Sequence, residues 1–137
     1  MHILIVEDDG CSRHILQEVL SPYGQCDIAI NGQQAVESFR LAWEGSNPYD
    51  LICMDIMLPV LNGQQALSQI RQIEKERGID SARRAKVIMA TALSDSDQVV
   101  DAIYKGGASS YFVKPIQIDA LLKELKTLGL IGESSGG

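Results

Sequence analysis

The chain has 137 residues, of which 45% are apolar and 22% are charged, and its net charge is −6. This length and composition fit one globular domain with a single core. The acidic balance argues against a nucleic-acid-binding surface, and the apolar runs are far shorter than the roughly 18 residues of a membrane span. Three cysteines without CxxC spacing, together with the lack of a signal-peptide pattern, predict a cytoplasmic protein with reduced thiols.

Short apolar runs alternate with segments of helical periodicity along the chain. The runs that predict strands are residues 3–6, 26–30, 51–54, 86–90 and 111–113. Helical spacing of apolar residues follows each run, in residues 15–20, 35–43, 66–73, a segment capped by Ser94 with Asp97, and 118–125. Five βα units in a row predict a parallel sheet with helices on both faces. We assign residues 1–128 to this domain and residues 129–137 to a flexible tail.

Polar side chains follow four of the five predicted strands. They are Glu7, Asp8, Asp9, Asp55, Thr91 and Lys114. Each of them alone has an ordinary interpretation, as a solvated turn, a helix cap, a strand-end hydroxyl or a solvated charge. However, the carboxyl ends of parallel strands meet at one edge of an open sheet, which is where such sheets bind ligands.

Several carboxylates that converge on one edge repel each other unless a cation lies between them. Their hard oxygen atoms suit Mg²⁺, with Mn²⁺ as the alternative ion. A carboxylate such as Asp55 can act as a nucleophile toward phosphorus, while the Lys114 ammonium and the Thr91 hydroxyl can bind phosphoryl oxygens. The pattern therefore predicts phosphoryl transfer to Asp55 at a metal site.

Four motifs carry a family resemblance. LIVEDD (4–9), MDIMLPVLNG (54–63), MATA (89–92) and YFVKPI (111–116) resemble, in order and spacing, the receiver domain of two-component response regulators of the chemotaxis-regulator type. The resemblance spans residues 3–126 and implies a flavodoxin-like (βα)5 fold, a doubly wound sheet with strand order 2-1-3-4-5. It implies a signalling switch rather than a conventional enzyme, one that catalyses only its own phosphorylation and slow dephosphorylation.

The resemblance also implies partners and residue roles. Asp55 would take phosphate from a phosphohistidine of a sensor histidine kinase or phosphotransfer protein. The Mg²⁺ ligands would be Asp8, Glu7 through water, Asp55 and the backbone carbonyl of Met57. The residues of the switch would be Thr91 and Tyr111, and Lys114 would precede a cis Pro115.

The switch implied by the resemblance repacks the surface of the fourth helix, fifth strand and fifth helix, and thereby acts on a downstream protein or output domain. The chain would be a monomer or a weak, phosphorylation-dependent dimer. Two residues depart from the family pattern: Glu7 stands where Asp is typical, and Gln117 stands where an Asp cap on the last helix is common. Separately, apolar Met57 and Leu93 flank the entry to the site. Neither of these two side chains can orient a hydrolytic water, so we expect the aspartyl phosphate to be long-lived.

Three alternatives remain at this point. A haloacid-dehalogenase-like phosphatase would need a general acid two residues after Asp55, where this chain has Met57. A flavodoxin-like FMN protein would need a phosphate cradle after the first strand, where the acidic residues 7–9 would repel phosphate. A non-phosphorylated interaction module on the same fold would normally lack Asp55, Thr91 or Lys114, and this chain has all three.

Overall fold

The computed structural model describes residues 1–91 and 97–132. Within them, the strands are β1 (His2–Val6), β2 (Gln25–Ala29), β3 (Leu51–Asp55), β4 (Lys86–Thr91) and β5 (Ser110–Val113). The helices are α1 (Gly10–Leu20), α2 (Gly32–Glu44), α3 (Gly63–Glu76), α4 (Asp97–Lys105) and α5 (Ile118–Thr127). Short 3-10 helices lie at Ser21–Tyr23 and Ser81–Arg83. The predicted cap Ser94 and the flanking residue Leu93 fall outside the described residues.

The strands form one parallel sheet in the order β2-β1-β3-β4-β5. This confirms the flavodoxin-like fold, including the strand order that the family resemblance implied. The order reverses direction between β1 and β3, so the carboxyl ends of these two strands border the crevice in which such sheets bind ligands.

The central strands are buried on both faces, which explains their uninterrupted apolar sequences. Leu4 and Ile52 contribute to a core with α2 and α3, where Phe39 is fully buried. The alternate strand residues point to the opposite face, where a second core includes Leu20 of α1 and Leu125 of α5. Helices therefore pack against both faces of the sheet, and this packing positions the groups at its edge.

The connection from α3 to β4 is more structured than its polar sequence suggested. Glu74 is fully buried and accepts hydrogen bonds from Arg71 Nη1 at 2.7 Å and from the Ala85 backbone N–H at 2.8 Å. Arg71 also donates to the Gly107 carbonyl after α4. Ile79, within the same connection, is buried. A charged pair at i and i+3 thus anchors the ends of α3 and α4 to the start of β4.

Candidate functional site

A lysine links two buried carboxylates at the carboxyl edge of the sheet. Glu7 follows β1 and Asp55 ends β3, with exposures of 1% and 7%. Lys114, which follows β5, places its Nζ atom 2.6 Å from Glu7 Oε2 and 2.9 Å from Asp55 Oδ2. The ammonium therefore compensates two acids that burial alone would disfavour as anions. Burial opposes the charge of Lys114 too, but the hydrogen bonds to Glu7 and Asp55 outweigh it and raise the pKa of the lysine.

Asp8 completes a cluster of three acids. Carboxylate oxygens of Glu7, Asp8 and Asp55 all lie within 4.8 Å of one another, and Asp8 is exposed whereas the other two are buried. Burial raises the pKa of Glu7; the hydrogen bond from Lys114 opposes this, while the nearby charge of Asp55 adds to it. A small, hard divalent cation fits this set of oxygens, and the exposed side leaves room for the waters that Mg²⁺ retains.

The loop after β3 is shaped around Asp55. The Met57 backbone N–H donates to Asp55 Oδ1 at 3.0 Å, while the Met57 side chain is 64% exposed. A Cβ at Gly63 would lie 2.3 Å from the Asp55 carbonyl oxygen, so only glycine lets α3 begin this close to the strand end. Asn62 and Gln65 form a capping box that starts the helix there.

The remaining predicted residues lie at the same edge or beside it. Thr91 ends β4 and is in register with Val113 on β5, so its backbone lies at the carboxyl edge; its side chain is outside the description. Tyr111 pairs with Met89 and is half-buried against the core that α2 and α3 cover. The Lys114–Pro115 peptide bond is cis, as the resemblance implied.

Two neighbouring residues have roles that sequence reasoning did not assign. Asp9 was grouped with the acids after β1, but its carboxylate caps α1 by accepting the Ser12 N–H at 2.9 Å. That capping bond lowers the pKa of Asp9. The spacing of Asp9 and Ser12 is the usual N-cap pattern and could have revealed this role. Arg13 Nη1 donates to the Glu7 carbonyl oxygen at 3.1 Å, a contact for which the sequence carries no signal.

Together, the open parallel sheet, the acidic cluster and the lysine at its carboxyl edge define a flavodoxin-like domain suited to binding a metal and a phosphoryl group. The family model for the response regulator receiver domain matches residues 3–126 of this chain. The chemotaxis protein CheY of Bacillus subtilis is 36% identical over 129 residues, which cover 92% of this chain and 96% of that protein.

Solved structures agree with this match. A CheX–CheY–BeF3–Mg²⁺ complex from Borrelia burgdorferi contains a chain with a TM-score of 0.80 and 26% identity, covering 94% of this chain and 89% of that one. The receiver domain of Ssk1, solved with the histidine phosphotransfer protein Ypd1 of Saccharomyces cerevisiae, gives a TM-score of 0.78 and 31% identity, with coverages of 98% and 94%.

The chain belongs to the response regulator receiver domain family. It is a receiver domain of two-component or phosphorelay signalling, and hence a signalling switch rather than a conventional enzyme. Within residues 1–91 and 97–132, no helix combines the length and the apolarity that crossing a bilayer requires.

Proposed function

We propose that Asp55 is the phosphoacceptor and that the protein catalyses its own phosphorylation there. The observation that carries this proposal is the contact of Lys114 with both Glu7 and Asp55, because it joins the ends of three strands in one charged site. A buried carboxylate beside a lysine and two further acids is the minimal set for accepting a phosphoryl group. The phosphorylatable unit comprises residues 1–128, with residues 129–137 as a tail, and acts in the cytoplasm.

Glu7, Asp8, Asp55 and the backbone carbonyl of Met57 would hold Mg²⁺, with Glu7 acting through water. The three carboxylates already converge within 4.8 Å, which supports this assignment. When bound, the ion supplies positive charge that offsets the charge on the phosphoryl oxygens.

The chain's own residues supply the nucleophile and orient it. A carboxylate oxygen of Asp55 forms a bond to phosphorus as the P–N bond of a phosphohistidine breaks, and the electron pair returns to the imidazole nitrogen. The Met57 N–H and Lys114 both hold the Asp55 carboxylate, and so fix its direction of attack. Lys114 and the Thr91 hydroxyl then bind two of the phosphoryl oxygens.

The donor of phosphate would be a sensor histidine kinase or a phosphotransfer protein. An apolar groove of about 310 Å³ opens between α1 and α5, directly beside Glu7 and Lys114. Ile15 and Ile118 line it and are 52% and 45% exposed. We assign this groove to a helix of the phosphotransfer partner, because a histidine presented there lies next to Asp55. The complex of the related Ssk1 receiver domain with Ypd1 supports a partner of this kind.

The proposed output is a change in the surface formed by α4, β5 and α5. Phosphorylation of Asp55 draws Thr91 toward the phosphoryl group, and Tyr111 rotates inward behind it. The half-buried position of Tyr111 leaves it room to move between exposed and buried orientations. The repacked surface then recruits a downstream protein or output domain. The protein that presents this surface is a monomer or a weak, phosphorylation-dependent dimer.

Slow loss of phosphate follows from the apolar entry to the site. Met57 is largely exposed beside Asp55 and, with Leu93, provides no group that could orient a hydrolytic water. We expect Met57→Asn to lose phosphate faster than the wild type, measured as the decay of the phosphorylated species by mass spectrometry. A wild-type lifetime no longer than that of the variant would contradict this explanation.

Acetyl phosphate tests the proposal directly. Incubation with acetyl phosphate and Mg²⁺ should add one phosphate to the intact protein, as measured by mass spectrometry. The adduct should be absent from Asp55→Asn and should not form after Mg²⁺ is removed. An adduct that persists in Asp55→Asn, or a wild type that acquires none, would refute the assignment of Asp55.

A further inference from the structure

A second cavity lies at the opposite edge of the sheet. It has a volume of about 380 Å³ and is bordered by the end of α2 with the α2–β3 connection, by the α3–β4 connection and by the segment after α5. Lys86, which begins β4, lines it, whereas Asp55 ends the neighbouring strand β3. A strand of this length separates the two edges by roughly 13 Å, so the cavity is distinct from the phosphorylation site.

The cavity is positively charged, although the chain as a whole is acidic. Arg83, Arg84 and Lys86 line it, and none of them forms an ion pair with a carboxylate in the described part of the chain. Asp50 is the acid in the lining, and its Oδ2 accepts the His2 backbone N–H at 2.8 Å. Three uncompensated cations around one cavity favour an anionic ligand.

Trp43 supplies a second, independent indication. Its indole Nε1 is buried and has no hydrogen-bond partner among residues 1–91 and 97–132. Trp43 lines the same cavity, and buried donors of this kind nearly always have a partner, so its unpaired indole N–H indicates an acceptor that the described residues do not supply. The guanidinium groups of Arg77 and Arg83 lie 5.9 and 5.8 Å from the indole ring centroid, and this contact holds Arg83 in place.

We propose that this cavity binds a small phosphate-bearing molecule. Guanidinium groups match the oxygens of phosphate with paired hydrogen bonds. Arg84 uses its Nε to donate to the Ile79 carbonyl at 3.0 Å, which leaves its terminal nitrogens for a ligand. Leu128 and Leu130 provide an apolar wall for the non-phosphate part, and the volume suits a small ligand. The site gives the receiver domain an input that does not pass through Asp55.

The chain's single tryptophan makes the proposal directly measurable. In a protein labelled with nitrogen-15, Trp43 contributes one indole N–H signal. We expect pyrophosphate and ADP, added without Mg²⁺, to shift this signal saturably, with tighter binding of ADP because it also contacts the apolar wall. Citrate, which carries carboxylates of similar total charge, should bind more weakly than either. Equal or tighter binding of citrate would overturn the assignment to phosphate.

Variants separate the site from general charge effects. Arg83→Gln and Arg84→Gln should each weaken binding of pyrophosphate about tenfold, the effect of losing one charge-assisted hydrogen bond. Lys123→Gln, which removes a charge from the exposed side of α5, should bind as the wild type does. Unchanged labelling of Asp55 by acetyl phosphate shows that the variants fold. The site would be refuted if the Trp43 signal did not respond in the wild type, or if both arginine variants bound pyrophosphate as tightly as the wild type does.

Discussion

Lys114 holds together two carboxylates that would otherwise repel each other in a buried site. In Lys114→Met, Glu7 and Asp55 lose their cation, so without Mg²⁺ the free energy of unfolding should fall by about 3 kcal/mol. Mg²⁺ should restore part of the loss, because it compensates the same carboxylates. Urea denaturation with and without Mg²⁺ measures both effects. Lys123→Met, at an exposed position, is the control, and equal stability of the two variants without Mg²⁺ would contradict the role of Lys114.

Val60 carries backbone strain next to the site. Its φ angle is +68°, in the left-handed region that β-branched residues avoid, and its side chain is 74% exposed. Because asparagine tolerates this conformation, Val60→Asn should raise the free energy of unfolding by about 1 kcal/mol. Val60→Ala keeps a Cβ but cannot form the local hydrogen bond of an asparagine side chain, so its free energy of unfolding should rise less than that of Val60→Asn. Urea denaturation midpoints distinguish the three proteins, and an asparagine variant no more stable than the wild type would exclude strain at this residue.

At the scale of single elements, the helices differ in how they begin. Asp9, Asn31 and Asn62 cap α1, α2 and α3 with side-chain hydrogen bonds. α5 follows Gln117, whose side chain makes no capping bond although its backbone is already extended, as a cap requires. Gln117→Asp should therefore stabilise the protein by about 1 kcal/mol, through the cap and the helix dipole. Thermal unfolding measures this gain in stability. Gln117→Ala should leave the stability unchanged, and a large loss of stability in that variant would show that Gln117 already acts as a cap.

The connection before β3 is tied to the edge strand β2 by a partly buried polar network. Tyr49 donates to Asp27 Oδ2 at 2.7 Å, and His2 Nε2 lies 2.8 Å from the same oxygen. Burial alone would raise the pKa of Asp27, but these hydrogen bonds outweigh it and lower the pKa. The pKa of Tyr49 is raised, by burial and by its bond to Asp27.

This network predicts a stability difference that depends on pH. A lowered carboxyl pKa contributes stability that is present above the ordinary value of 3.8 and is lost as the pH falls through the folded-state value. A raised tyrosine pKa contributes stability that is lost above 10.0. Tyr49→Phe should therefore be about 1 kcal/mol less stable than the wild type between these limits, with a smaller difference outside them. Urea denaturation across this range measures it. Tyr23→Phe is the control, and a constant difference at all pH values would contradict the network.

At the scale of the whole molecule, the presence of a parallel sheet was predictable, because strands buried on both faces need uninterrupted apolar sequences, as in β1, β3 and β4. The candidate site was predictable from the same pattern, because Asp55 ends such a run and Lys114 follows the shorter, partly buried run of the edge strand β5. The strand order could not be predicted from periodicity, because periodicity does not specify which strands are neighbours. The prediction of the order came from the family resemblance instead. The packing of Trp43, near the end of α2, against Arg77 and Arg83 after α3 also went unpredicted, since the sequence gives no sign that these two segments meet.

The proposed binding of Mg²⁺ to the carboxylate cluster should stabilise the whole fold, because the cluster forms only when the ends of β1 and β3 are together. Above the dissociation constant, each tenfold increase in Mg²⁺ should add about 1.4 kcal/mol to the free energy of unfolding. Salt screening also stabilises a chain of net charge −6, so NaCl of equal ionic strength is the first control.

Two adjacent acids provide the matched variants for this experiment. Asp8→Asn removes a proposed ligand and should abolish the response to Mg²⁺, measured by urea denaturation across a Mg²⁺ series. Asp9→Asn makes the same change of charge one residue away, but Asp9 caps α1 and asparagine caps equally well, so its response should equal that of the wild type. Equal responses in both variants, or a response that NaCl reproduces, would mean that Mg²⁺ acts on the overall charge rather than at the cluster of Glu7, Asp8 and Asp55.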